Sequence, residues 1–514
     1  MELQLPSLPL FFTFLLFLSL LVKHWKQSKA KSPTQKLPPG PRKLPVIGNL
    51  HQLIGSLPHH SLRDLANKYG PIMHLQLGEV SALVISSPEA AKEVMKTHDL
   101  TFATRPDVLA CKIMSYDNQN IVFAPYGQYW RQIRKICILE LLSAKRVQSF
   151  RSLREEEVHN LIDSISSSPG IPINLSQKIS SMTNDIIARA AIGKKCKDQD
   201  EFISVVEEVI KLSSGFDVHD IFPSLKFLHL ICGGKPNLEK LHQRLDKIFD
   251  DIINEHKLRR KTTTINGEED LVDVLLNLQE RGDLEFPITT DNIKAVILDM
   301  IAAGTETSST ATIWTLSEMM RNPGIMEKAQ AEVRQVLKGK SKIEEMDIWE
   351  LHYLKLVIKE TLRLHPPAPL LVPREARERC EINGYDVPIK TKVIVNAWAI
   401  GRDPKSWTNA KCFEPERFRG SSIDFKGTNF EYIPFGAGRR ICPGISFGIA
   451  NIELPLAQLL YHFDWKLPNG IKPEEFDMKE TFGATARRIN DLHLVGTPYI
   501  PSIQENREMA GTNS

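Results

Sequence analysis

The run Pro434-Phe435-Gly436-Ala437-Gly438-Arg439-Arg440-Ile441-Cys442-Pro443-Gly444 holds a single cysteine in a loop with three glycines. Glycines let a backbone turn tightly and approach a flat ligand closely, where a Cβ would obstruct it. Cys442 stands where the loop gives way to a helix expected over Ile445–His462. The positive end of that helix favours a thiolate over a thiol. Pro443 suits the first turn, where a missing N–H costs little. The loop thus aims one sulfur at the metal of a planar ligand, and Arg440 is placed to pair with an acid of that ligand. A zinc site is excluded, because no second Cys or His lies at ligand spacing. Phe435, Gly438, Arg440, Cys442 and Gly444 at fixed spacing would recur by chance roughly once in 10⁶–10⁷ windows, so the pattern is specific.

Two further groups carry chemistry. Ala303-Gly304-Thr305-Glu306-Thr307-Ser308 lies within a helix expected over Thr290–Arg321. Small Ala303 and Gly304 would let a flat ligand or dioxygen lie against the helix, and a mid-helix glycine costs about 1 kcal/mol without such a reason. Thr307 can bond back to the carbonyl of Ala303 and loosen the ladder. An acid beside a hydroxyl, Glu306 with Thr307, suits proton delivery to reduced oxygen. The second group is Glu360 and Arg363, one helical turn apart on a stretch rich in leucine, isoleucine and valine. A buried pair needs more partners to offset desolvation, and Arg417 in Phe413-Glu414-Pro415-Glu416-Arg417-Phe418 is the expected third member.

These motifs, in this order, resemble the cytochromes P450, the haem-thiolate monooxygenases, and the wording around Cys442, Thr307 and Arg417 resembles their plant A-type branch. The resemblance implies haem b with Cys442 as axial ligand and Phe435, Gly438 and Arg440 in its loop. It assigns Trp130, Arg134 and Arg374 to the haem propionates, although an aromatic packed on an arginine stem also explains the first two. It makes Glu306 and Thr307 the proton relay and Glu360, Arg363 and Arg417 a brace for the cysteine loop. It sketches a pocket from the Arg105–Phe123 loop, the neighbourhood of Phe216, Ala302 and Ala303, Leu370, Leu371, Val372 and the tail turn Thr481–Thr485 with Phe482. Those side chains are mostly apolar, which points to a small hydrophobic substrate: a terpenoid first, an alkaloid or a flavonoid or other phenolic second. Two other classes stay in view, a non-oxygenating haem-thiolate isomerase or dehydratase and a non-catalytic haem-binding protein. No Gly-x-Gly-x-x-Gly follows a strand, so electrons are expected from a separate NADPH-cytochrome reductase, with Arg131, Lys135 and Arg439 offering it a basic face. His365 reads as a satisfied core histidine.

The elements that must position these groups are mostly helical. Amphipathic spacing predicts helices over Ser61–Tyr69, Pro88–Thr97, Gln128–Leu139, Ala144–Ser166, Ser176–Ala191, Asp200–Ser213, Pro236–Lys261, Leu271–Glu280, Thr290–Arg321, Gly324–Lys338, Leu351–His365 and Gly444–Phe463. Alternating runs at Ile72–Leu77, Ala82–Ile85, Lys392–Ala397 and Asp491–Val495 predict strands of one small sheet. The polar stretch Thr262–Asp270 reads as a connector. The expected fold is therefore mostly α with a minor β-sheet, the cytochrome P450 fold, preceded by a single transmembrane helix.

Leu3–Val22 is almost wholly apolar and uncharged, long enough to span a bilayer. Glu2 and the lack of a small-x-small site argue against a cleaved signal. The cluster Lys23, His24, Lys26, Lys29 and Lys31 predicts a cytosolic body by the positive-inside rule. The expected organisation is an anchor over residues 1–22, a basic and proline-rich hinge over 23–45, one catalytic unit over 46–503 and a disordered tail over 504–514, at the endoplasmic reticulum membrane. A formal net charge of +3 in 514 residues implies no nucleic-acid partner. Seven scattered cysteines fit a reduced, cytosol-facing body rather than a disulfide scaffold.

Overall fold

The computed structural model describes residues 36–500, apart from 196–198, 213–217, 225–233, 263–268, 341 and 482. The anchor, most of the hinge, the tail, Phe216, Phe482 and most of the 262–270 connector lie outside the described residues. No helix among the described residues is long and apolar enough to cross a membrane.

The core is organised around one helix, Thr290–Arg321, buried along most of its 32 residues. It starts on a reciprocal cap: the Asn292 N–H donates to Thr289 Oγ1 at 3.2 Å and the Thr289 N–H to Asn292 Oδ1 at 2.8 Å. Thr312, Thr315 and Ser317 each donate to the carbonyl four residues earlier, which lets hydroxyls sit in an apolar core at little cost. Helices Leu175–Ile192, His352–Leu364 and Ile445–His462 pack against this axis, with Arg151–Ser166 and Pro323–Val336 outside them. The helix after Cys442 runs over Ile445–His462 with Pro455 inside it.

Among the described residues three small sheets replace the single one expected. Ile72–Leu77, Val80–Ile85, Lys392–Val395 and Arg374–Glu375 form a four-stranded sheet in that order, with only the middle pair parallel. His493–Pro498 sits between Pro172–Asn174 and Phe463–Lys466, and Cys380–Ile382 pairs with Tyr385–Val387. Phe463, expected as the last helical residue, starts a strand, because the pairing with His493–Pro498 continues the chain where the helix stops. The Pro88 and Gln128 helices end in π-turns at Glu93–Thr97 and Ile138–Leu142. Cys111, Cys137, Cys380, Cys412 and Cys442 are free thiols.

Candidate functional site

Gly436 and Gly438 both take φ of +69°, a region open to glycine at little cost, and they fold the segment back on itself. The Cys442 N–H donates to the Phe435 carbonyl at 3.0 Å and closes the loop. The Phe435 ring meets Phe425 edge-on at 5.3 Å. The need for glycine at 438 comes from the protein itself: a Cβ there would stand 2.1 Å from the Met95 carbonyl oxygen. This packing is a reason for glycine at 438 in addition to the close approach to a flat ligand expected from the sequence. Pro443 precedes the helix rather than sitting in its first turn, and Gly444 is the cap. Burial pushes the Cys442 thiol up, while the Gly444 N–H and Arg134 pull it down. Desolvation therefore outweighs the helix end, which does not by itself make a thiolate, whereas a bound iron would take the proton off.

Around this loop lie four guanidinium groups. Arg440 donates to the carbonyls of Ala103 at 2.7 Å, Ile121 at 3.2 Å and Ala124. Arg134 donates to Ile441 at 2.6 Å, and Arg374 to Ala437 at 2.8 Å. The fourth, Arg105, was not singled out from the sequence as an anion ligand; its Nη1 donates to Val372 at 2.7 Å and Pro373 at 3.0 Å. Its charge is disfavoured first by burial and then by Arg440, Arg374 and Arg134. Among the described residues, the acid paired with this group is Asp99, 3.4 Å from Arg374. Trp130 is held between Arg440 and Arg134, 4.1 and 5.3 Å from its ring, and donates Nε1–H to the Ile121 carbonyl at 2.9 Å. The expected propionate donor is thus committed to backbone here, in the packed-aromatic arrangement. A buried, under-compensated cluster of cations beside a half-buried thiol fits a flat ligand carrying two carboxylates, as haem does.

Above the loop, Ala303 is exposed although it lies midway along the core helix, and Thr307 is partly open beside it. Thr307 Oγ1 donates to the Ala303 carbonyl at 2.7 Å, as its spacing predicted. Gly304 faces the other way: a Cβ on it would come 2.9 Å from Ile187 Cδ1 on the Leu175–Ile192 helix. The glycine serves a helix crossing, and the open surface belongs to Ala303. Glu306 is buried and accepts from Thr485 Oγ1 at 2.8 Å, with Arg487 Nη1 at 4.0 Å from its other oxygen. Burial pushes its carboxyl up, against the pull of Arg487 and Thr485.

These residues border a cavity of about 230 Å³ that Ala303, Leu370, Leu371 and Val372 line, together with Val122, Phe123 and the Gly483–Thr485 turn. Asp299 also borders it and had no signal in the sequence beyond being an acid on this helix. It accepts from Asn120 Nδ2 at 2.7 Å and from the Ile121 and Val122 N–H groups at 2.7 and 3.1 Å. Because the Ile121 carbonyl holds Trp130 and Arg440, Asp299 ties the cavity wall to the arginine cluster.

The acid–base triad is assembled as its spacing required. Glu360 accepts from Arg363 Nε at 2.8 Å, Arg363 Nη2 at 2.7 Å and Arg417 Nε at 2.9 Å, and both Glu360 and Arg363 are fully buried. Arg363 also donates to the carbonyls of Gly401, Ala410 and Cys412, so every hydrogen-bonding nitrogen is used. Trp407, Phe418, Tyr432, Phe425 and Phe435 continue from this knot as a chain of ring contacts 5.2 to 6.3 Å apart that ends at the cysteine loop. His365 is a core histidine, as expected, but only partly satisfied: its ring stacks on Trp314 at 4.1 Å and its Nε2 lies 2.6 Å from Glu318, whereas its Nδ1 stands 3.5 Å from Glu480 with no hydrogen bond.

A sulfur held in a glycine loop, a cationic cradle beside it and an acid–alcohol pair above it together define a haem-thiolate oxygenase. The cytochrome P450 family model matches residues 38–490. The chain is 62% identical over 487 residues to desmethyl-deoxy-podophyllotoxin synthase of Sinopodophyllum hexandrum, covering 94% of this chain and 95% of that one. It is 59% identical to premnaspirodiene oxygenase of Hyoscyamus muticus, over 97% and 99% of the two chains. It is 57% identical to melianol synthase of Azadirachta indica, over 98% and 99%. A solved zebra fish cytochrome P450 with abiraterone superposes with a TM-score of 0.73 at 25% identity, covering 86% of this chain and all (100%) of that one. The protein belongs to the cytochrome P450 family, haem-thiolate monooxygenases that draw electrons from a redox partner, and its relatives are of the plant A-type.

Proposed function

We propose that this monooxygenase hydroxylates a small hydrophobic specialised metabolite, a terpenoid first and an alkaloid or phenolic second. The carrying observation is the apolar cavity onto which Ala303, Leu370, Leu371 and Val372 face and into which Thr307 opens. The printed activities of the relatives, premnaspirodiene oxygenase and melianol synthase among them, agree with that choice. Haem bound to the Cys442 thiolate supplies dioxygen activation. The chain's own residues do the rest. Arg105, Arg134, Arg374 and Arg440 bind and orient the cofactor's carboxylates, with the Trp130 ring packed between two of them. Apolar walls exclude water and present one C–H bond. Glu306, whose carboxyl burial pushes up, is the acid of the relay, and the Thr307 hydroxyl passes the proton toward oxygen. An intact Thr307 opening into the cavity disfavours an isomerase or dehydratase, and a haem carrier would need neither the acid–alcohol pair nor the cavity.

In this reading residues 46–503 are one catalytic unit, 23–45 a hinge, 504–514 a tail, and 1–22 a single-pass anchor in the endoplasmic reticulum membrane. The uncharged stretch Leu3–Val22 and the lysines after it support the anchor. The electron donor is NADPH-cytochrome reductase. A reduced, carbon monoxide-bound spectrum of the full chain should show the red-shifted Soret band of a thiolate-ligated haem, lost in Cys442→Ser. Incubation with reductase, NADPH and a panel of terpenoids (premnaspirodiene included), alkaloids and flavonoids should then yield a hydroxylated terpenoid. Absence of the band, or oxidation of none of the panel, overturns the reading.

A further inference from the structure

Thr305, Glu306 and Thr307 are consecutive, so they leave the core helix about 100° apart. Thr307 opens onto the large cavity. Behind it lies a second, small cavity of about 10 Å³, bordered by Ser180, Asn184, Val206, Glu207, Thr305 and Glu306. Glu306 borders both spaces and is the partition between them.

Two side chains that border the small recess carry unpaired polar atoms. Asn184 is 1% exposed, and neither its Nδ2 nor its Oδ1 has a partner. Thr305 is 7% exposed, and its Oγ1 is unpartnered too. Thr307, Thr312 and Thr315 on the same helix satisfy their hydroxyls on the carbonyl four residues back, so Thr305 departs from the rule of its own helix. Leaving a buried polar group unmade costs about 1–3 kcal/mol, and a site of this size with two to four polar partners is where a buried water resides. The outer edge of the recess is Glu207, whose Oε1 accepts from Arg487 Nη1 at 2.7 Å. Both side chains are about two-fifths exposed, at 38% and 41%, and Arg487 reaches within 4.0 Å of Glu306.

We propose that Asn184 and Thr305 hold an ordered water behind Glu306, and that this recess is the route by which solvent protons enter. The apolar cavity can then stay dry while the acid is recharged from its other face. The reaction consumes substrate-H, O₂, two electrons from the reductase and two protons, and gives substrate-OH and water. Each proton that leaves Glu306 is replaced when an O–H bond of the recess water breaks and an O–H bond on Glu306 forms. That water is reprotonated by bulk solvent at the Glu207–Arg487 edge. Asn184 and Thr305 are positioning residues, since they act through the water and touch no reacting atom.

The inference rests on the monooxygenase reading, and its test is separable from it. The full-length holoenzyme and its Asn184→Leu, Thr305→Val and Thr305→Ser variants are first compared by reduced carbon monoxide spectrum, which should be unchanged. Melting temperature then reports whether the recess is wet. With water present, Asn184→Leu removes hydrogen bonds and lowers it. A dry recess would instead make the apolar replacement of an unpaired amide stabilising, and a raised melting temperature overturns the proposal. With reductase, NADPH and the panel compound the wild type oxidises fastest, Asn184→Leu and Thr305→Val should release several-fold more hydrogen peroxide per NADPH and show a larger solvent isotope effect in D₂O. Thr305→Ser, which restores the hydroxyl, should return toward wild type. Unchanged peroxide yield in both disabling variants also overturns the inlet, with the monooxygenase reading left standing.

Discussion

Asp299 does two jobs with one carboxylate, and its titration should be visible in the stability of the whole chain. Burial pushes its carboxyl up to about 7, although Asn120, Val122 and Ile121 all donate to it and pull the other way. The unfolded chain releases this proton near the ordinary aspartate value of 3.8. Between those values the native state holds a proton that the unfolded state has lost, so stability falls as pH rises through the window. Below it the contribution is fully present; above about 7 it is gone. The total effect is on the order of a few kcal/mol. Asp299→Asn should remove this slope: the difference in melting temperature, variant minus wild type, should rise between pH 4 and pH 7. A difference that stays flat would show that the carboxyl titrates normally. Arg105 belongs to the same scale. Its neighbours Phe102 and Pro106 say nothing of three other guanidiniums, because these come from segments far apart in the chain.

At the scale of elements, Gly304 teaches how far a motif can be read. Small residues at 303 and 304 promised an open helix surface, and the spacing could not say which of the two faced the ligand. Their Cβ directions differ by about 100°, and the rotation of the helix is set by its packing on Leu175–Ile192. That packing gives the surface to Ala303 and the crossing to Gly304. Gly304→Val should therefore destabilise the protein by about 1–3 kcal/mol through overpacking, and Ile187→Ala in the same chain should recover part of the loss in thermal melts. Equal stability of Gly304→Val and wild type would mean that the crossing is loose. Gly304→Ala is expected near neutral, because Ile187 Cδ1 is the end of a flexible side chain and alanine is the better helix former by about 1 kcal/mol. Helix positions were otherwise well anticipated where periodicity was strong, as at His352–Leu364. The strand Phe463–Lys466 was missed because its partner lies about thirty residues further on and pairing energy has no local signature.

For the whole molecule, the thiolate side must meet an electron donor while the opposite side handles substrate. Arg131 and Lys135 are exposed on the Gln128–Cys137 helix, and Arg439 is 48% exposed beside Asp99. Lys135→Glu should slow reduction by the reductase most at low salt, with the difference fading as the screening length shrinks from about 10 Å at 0.1 M to about 3 Å at 1 M. Rates in stopped-flow that are equal to wild type at every salt concentration would remove this face from the docking surface. By itself the sequence determined the cysteine loop, the acid–alcohol pair and the Glu360–Arg363 turn, since each is a short segment whose spacing already sets its geometry. It also marked the apolar stretch ahead of the body. Only the tertiary structure decided which way Gly304 faces, that Arg105 completes the cation cluster, that Asp299 clasps the cavity wall, and that Asn184 and Thr305 border one recess beside Glu306. Those contacts join side chains from different helices and loops. They are chosen by close packing and by the cost of leaving a buried polar group unpaired, neither of which acts on a residue until the chain has folded around it.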